Sequence, residues 1–444
     1  MSKKLRFFIE YFLYYLKTYS LVIILGIISG SLIYTNRLYL IQLFNNLTFQ
    51  KNNIGLEGLY TISNLPEIVS NQISYGITTL SENDKAQISP IVDKIEVDEN
   101  NQNYTIFFKN DIYWHNGRKF QTSDLNLNIA GAQITNKSAT TMTISLPTPF
   151  SPLLSFLSQP LFYNQGLIGL GKYQVADTTY QDGYLKTISL VSVTNSHDQI
   201  FYHFYQNSDD LINAFKLGEV SQIITTSLNQ DISSWPNIKI NPDVSTKKYL
   251  AIFFNTEKIS SKSLRQSLAY ATPKTSTNNR CLGPISPTSW AYNPQIKPYN
   301  YNPTRAKELL DKEHPSQINL IITDRQLLPI AESIKKSWQE NLSIDTHINI
   351  ESQKPSLTDY EAILTYGTVS RDPDQYTFWH STQINTNITH LDNSRIDKLL
   401  EEGRLISNQS ERKQIYYDFQ KFLLEESPVI FLEFPISYNI SRIK

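Results

Sequence analysis

The chain has 444 residues, a formal net charge of −1 and 18% charged residues. This length exceeds what one hydrophobic core usually serves, so two lobes or two to three domains are expected. The near-neutral charge gives no electrostatic support for a nucleic-acid partner. Cys281 is the only cysteine, which excludes an internal disulfide, a cysteine-based zinc site and a redox pair.

The N-terminal region combines a basic segment, residues 1–19, with an apolar run. This flank favours a cytoplasmic N-terminus. We predict a transmembrane anchor or signal sequence over residues 20–40 and a polar, Asn-rich tether over 41–53. An uncleaved anchor predicts a single-pass protein of the cell membrane with its binding domain on the extracytoplasmic side. A cleaved signal peptide and a buried soluble helix are the alternatives, although no Ala-x-Ala site follows the run.

The first motif of the remaining chain joins a strand, an aromatic corner, a turn and a capped helix. Tyr104, Ile106 and Phe108 recur at every second position, which predicts a strand. Asn116-Gly117 predicts a tight turn with a positive φ. Thr122 is suited to cap a following helix, with Asp124 in its positive first turn.

Later segments continue this alternation of strands and helices, which predicts an α/β protein. Residues 169–173 contain Gly-Leu-Gly but lack the spacing of a phosphate-binding loop. An amphipathic helix is expected over 209–219 and an apolar strand over 249–256. Two helical runs are expected over 397–426, followed by a closing strand over 429–433.

Catalytic and metal-binding motifs are lacking in the sequence. It contains no Gly-x-Ser-x-Gly and no His-Glu-x-x-His, and its seven histidines are scattered. An enzyme needs a nucleophile beside a base or paired carboxylates in a cleft. We therefore predict a protein that is not an enzyme and that has no catalytic residue, no cofactor and no metal site of its own.

Several segments, in chain order, resemble solute-binding protein family 5, the peptide/nickel-type extracytoplasmic binding component of ABC importers. Trp114, Gly117 and Asp124 match the family pattern W-x-x-G-x-x-x-x-x-x-D. The other similar segments are residues 74–77, 169–173, 218–220, 255–271, 282–290, 301–310, 366–373 and the C-terminal helix and strand. The resemblance covers essentially the whole part of the chain that follows the tether.

The resemblance implies a fold and a function. The fold is an α/β, two-lobe, periplasmic-binding-protein type II-like fold with mixed sheets, preceded by one N-terminal transmembrane helix. Lobe one is expected over 54–246 plus 425–444, and lobe two over 247–424. The implied function is capture of peptides, or a similar small solute, between the lobes for delivery to an ABC-type permease, by a monomer. A membrane-anchored binding or interaction protein that retains the fold without transport is the alternative.

The predicted ligand contacts come from the segments that line the cleft of the family. They are Tyr75, Trp114, Asn255, Trp290, Tyr366, Gly367 and Asp372. A structural role stays as the alternative, in the core for Trp114 and in a turn for Asn255 and Asp372. For Trp290 and Tyr366, a place in the cleft and a place in the core are both open.

One departure from the family bears on the ligand. Peptide binders of the family carry a Trp and, three residues later, an Asp that pairs with the ligand α-amine. An ungapped alignment from Asp372 places Tyr366 and Val369 at these two positions. We therefore expect a peptide held mainly through its backbone and side chains, or a solute without a free amine.

Overall fold

The computed structural model describes residues 11, 14–37, 50–164, 166–226, 228, 230–274, 278–311, 313–351 and 360–443. Most of the predicted basic segment 1–19 and of the tether 41–53 lies outside these residues. None of the helices in the described ranges has the length and apolar character needed to cross a membrane, and helix Ser20–Thr35 has 16 residues. The single-pass anchor predicted over residues 20–40, of which 38–40 are not described, is therefore unsupported.

The elements are numbered in chain order. The strands are β1 (Gln50–Glu57), β2 (Thr78–Leu80), β3 (Ala86–Ile88), β4 (Val92–Val97), β5 (Asn103–Phe108), β6 (Gln133–Ser138), β7 (Thr141–Ser145), β8 (Tyr173–Gln181), β9 (Tyr184–Ser192), β10 (Asp198–Tyr205), β11 (Gln222–Thr225), β12 (Ile238–Val244), β13 (Lys248–Phe254), β14 (Gln317–Ile322), β15 (Asp345–Ile350), β16 (Ala362–Thr368), β17 (Val429–Glu433) and β18 (Ile436–Arg442). The helices are α1 (Ser20–Thr35), α2 (Glu67–Ile73), α3 (Leu153–Phe156), α4 (Ser208–Leu217), α5 (Gln230–Ser233), α6 (Lys262–Ala271), α7 (Pro303–Leu309), α8 (Leu328–Leu342), α9 (Tyr376–Trp379), α10 (Ser394–Leu405) and α11 (Gln409–Glu426).

The first domain is built on a seven-stranded mixed sheet with the order β12-β18-β11-β1-β10-β9-β8. Strand β1 pairs in parallel with both β10 and β11. Helix α4 connects β10 to β11 and therefore crosses β1 on one face of the sheet. The amphipathic pattern of 209–219 forms α4, which buries Leu211 and Phe215. Asn207 caps its start by accepting a hydrogen bond from the backbone N–H of Asp210 at 2.9 Å, and Gly218 ends it with φ 82°.

A four-stranded antiparallel sheet, β4-β5-β7-β6, and the β2–β3 hairpin complete this domain. The helix predicted after Thr122 is wrong, because residues 122–124 form only one 3-10 turn and Gln121 is the capping residue. The chain then runs extended, and Leu125, Leu127 and Ile129 pack against the core of this sheet. Their spacing of two residues is that of an extended segment and not that of a helix.

The second domain is built on a five-stranded mixed sheet with the order β15-β14-β16-β13-β17. Strand β13 is the apolar strand predicted over 249–256, and Tyr249 to Phe254 are all buried in it. Its core includes one or more residues from each of α6, α8 and α11, among them Leu268, Trp338 and Phe419. A continuous apolar run is typical of a strand that is covered on both faces.

The chain passes between the two sheets twice. Val244 ends β12 in the first sheet and Lys248 begins β13 in the second, while the short β17–β18 connection runs back. The two connections touch, because the N–H of Ser245 donates to the carbonyl of Pro435 at 3.0 Å. The domain boundaries at 246/247 and 424/425 stay predictions; the pairing of β17 with β13 would move the second boundary past Glu433.

Candidate functional site

A cavity of about 860 Å³ lies between the two domains, beside the first connection. The first domain lines it with the start of α2, the segment after α2 and the β2–β3 hairpin. The second domain lines it with a loop at residues 286–288 and with the end of β16 and the loop that follows. Thr246 and Lys247 of the connection lie between these two walls. The volume falls in the range typical of small-molecule sites.

The wall after α2 depends on a close approach of two backbone segments. A Cβ atom at Gly76 would lie 2.6 Å from the carbonyl carbon of Ser158, so only glycine is accommodated without a shift. The Ser74 hydroxyl donates to the carbonyl of Leu161 and accepts from the N–H of Leu170 at 3.1 Å. These contacts hold the predicted site residue Tyr75 at the cavity.

The Gly-Leu-Gly turn supports this wall from behind. Side chains at Gly169 or Gly171 would collide with the backbone of Ile73, so both glycines permit close packing and do not form a phosphate loop. The N–H of His115 donates to the carbonyl of Gly169 at 3.1 Å, and its Nε2 lies 3.0 Å from the carbonyl of Gly171. Burial lowers the pKa of His115.

Trp114 and its hydrogen-bond partner lie further from the cavity. Trp114 is 1% exposed and its Nε1 donates to a carboxylate oxygen of Asp124 at 3.0 Å. The same carboxylate accepts from Arg118 at 2.9 Å and from the N–H of Gln121 at 2.9 Å. Gly117 has φ 79°, which confirms the predicted turn. Trp114 therefore lies in the core and braces the wall indirectly, outside the cavity lining.

Two further predicted contacts also lie away from this cavity. Asn255 is 1% exposed, and its side chain accepts from the N–H of Glu257 at 3.0 Å, as a residue of a turn does. Trp290 lines a neighbouring cavity of about 380 Å³. Its ring faces the guanidinium of Arg412, whose carbon lies 5.6 Å from the ring centroid.

Tyr366 and Gly367 precede the residues that line the cavity. The ammonium of Lys248 lies 4.7 Å from the centroid of the Tyr366 ring. A side chain at Gly367 would collide with the ring of Tyr249, which explains glycine at that position of β16. The cavity lining begins one residue later, at Thr368.

Asp372 is held in a buried ion pair. Its carboxylate contacts the guanidinium of Arg412 through two hydrogen bonds, one of them 3.0 Å long. It also accepts from the hydroxyl of Ser155 in the first domain at 3.2 Å and from the N–H of Asp374 at 2.9 Å. Asp372 lines the neighbouring cavities and not the 860 Å³ cavity.

The structure brings together, at the cavity, charged side chains that were not among the predicted ligand contacts. The carboxylate of Glu67, the first residue of α2, contacts both the ammonium of Lys247 and the guanidinium of Arg371. Arg371 also donates to the hydroxyl of Ser158 at 3.3 Å. Arg371 stood inside a recognised segment, but Glu67 lies 304 residues before it, and no local pattern links the two.

A second carboxylate reaches the cavity from the β2–β3 hairpin. Asp84 makes no side-chain hydrogen bond or ion pair with the described residues, and Glu82 lines the cavity beside it. Burial raises the pKa of Asp84 to about 6, aided by the negative charge of Asp372 and opposed by Lys247. Val369, at the position where peptide binders carry an Asp, also lines the cavity.

Metal ligands are not clustered at the cavity. Among the residues that the structure describes, no three or more His, Cys, Asp or Glu side chains are grouped so that they could hold a metal ion. The polar lining consists instead of carboxylates, cations, hydroxyls and backbone groups from both domains. Such a lining can bind a solute that carries both charged and hydrogen-bonding groups.

Comparison with known proteins places these features in a wider group. Residues 125–389 match the family described as bacterial extracellular solute-binding proteins, family 5 middle. The oligopeptide-binding protein AppA of Bacillus subtilis is 25% identical over 237 residues, which cover 45% of this chain and 43% of AppA. The heme-binding protein A of Haemophilus influenzae is 28% identical over 220 residues, which cover 43% of this chain and 39% of the relative. The matches thus span less than half the length of these two relatives.

The fold is also similar to solved structures. The crystal structure of NikZ from Campylobacter jejuni, in complex with Ni(L-His), has a TM-score of 0.72 and 19% sequence identity. The similarity covers 89% of this chain and 94% of NikZ. At this identity the likeness shows the fold, a two-domain α/β fold of the periplasmic-binding-protein kind with mixed sheets.

Proposed function

The chain belongs to family 5 of the bacterial extracellular solute-binding proteins, and we propose that it captures a short peptide or a similar small solute between its two domains. The observation that carries this proposal is the 860 Å³ cavity, whose lining comes from both domains and from the connection between them. A ligand in such a cavity contacts both domains at once. Ligand binding therefore shifts the equilibrium between the open and closed arrangements only as far as the ligand binds the closed arrangement more tightly than the open one.

The charges at the cavity support a zwitterionic ligand. Lys247 and Arg371 are cations that both contact Glu67, while Glu82 and Asp84 are carboxylates that form no ion pair with the described residues. A short peptide carries an ammonium at one end and a carboxylate at the other, and its backbone offers further donors and acceptors. Asp84 lies on the opposite domain from Val369, so it would supply a carboxylate that the second domain lacks at that position.

Delivery to an ABC-type permease, by a monomeric binding protein, completes the proposed function. The support is family membership and the resemblance to AppA, whose name states that it binds oligopeptides. The cavity would then act outside the cytoplasm. Export would depend on residues 1–40, whose basic and apolar segments would serve as a signal or as an anchor.

The proposal is tested by identifying what the protein carries. The exported part is purified under native conditions, denatured, and the released small molecules are identified by mass spectrometry. We expect peptides, and we expect calorimetric titration with those peptides to give a dissociation constant of about 1 μM or below.

A matched pair of variants assigns that binding to the cavity. Asp84→Asn is expected to weaken binding of peptides with a free amine, while Asp182→Asn, in the β8–β9 turn, leaves it unchanged. A folded protein that releases no solute and binds no peptide of any length would contradict transport. It would favour the alternative of a binding or interaction protein that retains the fold.

A further inference from the structure

A second cavity, of about 830 Å³, lies on the other side of the bridge between Glu67 and Arg371. The two cavities share Glu67, Ser370 and Arg371 as lining residues, so these side chains form the wall between them. Both cavities lie between the first and second domains. One ion pair thus separates two spaces of nearly equal volume.

The linings of the two cavities differ in chemistry. Each lining contains five charged side chains, but the second also contains three phenylalanines and two prolines, whereas the first contains one phenylalanine and no proline. The phenylalanines are Phe150, Phe156 and Phe162, and we call them the aromatic group. All three lie in the first domain, in the region around α3. Aromatic side chains supply large apolar contact areas for a ligand.

The charged side chains of the second cavity are already paired. Asp374 accepts from Arg404 at 2.9 and 3.0 Å, and Asp372 is paired with the buried Arg412. Neither pair leaves a net charge for a ligand. A group that binds beyond the bridge should therefore be uncharged and apolar.

The bridge itself can be displaced at low cost. The side chains of Glu67 and Arg371 are each 36% exposed, and ion pairs of this exposure contribute little net stability. A carboxylate or carbonyl oxygen of a ligand could replace Glu67 on the Arg371 guanidinium. The hydrogen bond from Arg371 to Ser158 would still hold the arginine in place.

We propose that the two cavities are subsites of one cleft and that the ligand is a peptide with an apolar side chain that binds against the aromatic group. Such a peptide displaces Glu67 from Arg371 and joins the two cavities. This inference rests on the proposed function, because it assigns the kind of peptide that the same cleft would take.

The test compares two peptide pools of equal length, about six residues, so that an extended chain can span both cavities. One pool contains only Ala, Ser and Gly, and the other differs by a single Phe at one position. Titration calorimetry is expected to show that the native protein binds the Phe pool about tenfold tighter or more.

Phe156→Gln is the variant that removes part of the aromatic group. Since Phe156 is 42% exposed, we expect the variant to fold, which a thermal melt verifies. It should reduce the preference for the Phe pool to below about threefold and leave binding of the other pool unchanged. Tyr180→Gln, at an exposed aromatic position of the edge strand β8, is the matched control and should change neither affinity.

Glu67→Gln tests the bridge independently of the aromatic group. Removal of the competing carboxylate frees Arg371, so binding of the Phe pool should tighten by about two- to fivefold. Equal binding of both pools by the native protein, or weakening of both pools by Phe156→Gln, would overturn this inference alone. If neither pool binds the native protein and the purified protein also releases no solute, the proposed function fails together with it.

Discussion

Two adjacent residues of one loop form ion pairs in opposite surroundings. Arg371 faces the cleft and contacts Glu67 of the other domain, and both side chains are 36% exposed. Asp372 points into the protein and pairs with Arg412, and these side chains are 8% and 6% exposed. Since desolvation decides how much a broken pair costs, the first pair is suited to exchange with a ligand and the second to fix the loop.

The buried pair should show the largest effect. Arg412→Leu leaves the Asp372 carboxylate buried without its cation, which should lower the free energy of unfolding by about 3–5 kcal/mol. Urea denaturation measures this loss. The double variant Asp372→Leu/Arg412→Leu removes both charges and should recover most of the stability. If Arg412→Leu lowered the free energy of unfolding by less than about 1 kcal/mol, the buried ion pair would not differ from the exposed one.

An intermediate case is the Asp124 carboxylate, which is buried but pairs with the half-exposed Arg118. Asp124→Ala leaves the buried Trp114 indole N–H without an acceptor and should cost about 2 kcal/mol of unfolding free energy. Asp124→Asn keeps one acceptor oxygen and should cost less. If both variants lose the same amount in urea denaturation, the hydrogen bond to Trp114 is not the cause.

Asp84 extends the comparison, because it is half-buried and forms no ion pair with the part of the chain that the structure describes. Its pKa of about 6 lies above the ordinary value of 3.8 for an aspartate, so the folded protein holds the proton more tightly than the unfolded chain. The contribution of Asp84 to the free energy of unfolding should therefore be most favourable below about pH 4. It should fall by roughly 1 kcal/mol, after allowance for solvent screening, as the pH rises to about 6.

Binding should show the opposite pH dependence. Affinity for a peptide ammonium should rise over the same pH range, because the carboxylate becomes charged. Asp84→Asn should remove both dependences, as thermal melts and titrations at several pH values would show. Stability and affinity that rise together with pH in the native protein, but not in the variant, would contradict this role.

The exposed bridge should show the smallest effect on stability. Glu67→Gln should change the unfolding free energy by less than about 1 kcal/mol, and added salt should remove the difference. Glu96→Gln, which breaks the exposed pair with Lys94 inside one domain, is the matched control. A loss from Glu67→Gln as large as that from Arg412→Leu would mean that the bridge is structural.

Local patterns in the sequence were sufficient for much of the fold. The closing strand predicted over 429–433 has these bounds in the structure. The helix predicted over 209–219 forms as α4, with its cap and terminal glycine close by in sequence. Such elements depend on the period of their apolar residues and on nearby capping groups, which a single segment carries.

The helix predicted after Thr122 did not form, and the period of the apolar residues explains this as well. A capping residue followed by an acidic side chain suited a helix, but the next apolar residues recur every second position. That spacing allows Leu125, Leu127 and Ile129 to pack as an extended segment against the four-stranded sheet. The period of the apolar residues therefore outweighed the capping signal.

The amino-acid sequence alone was enough to predict the family, the two-domain α/β fold and the absence of an internal disulfide, because these follow from local patterns, segment order and composition. Which side chains face the cleft became clear from the three-dimensional structure. It placed Trp114 and Asn255 in the interior and brought Glu67, Asp84 and Arg371 to one cavity. Exposure and pairing depend on contacts between residues that lie hundreds of positions apart, which no local pattern encodes.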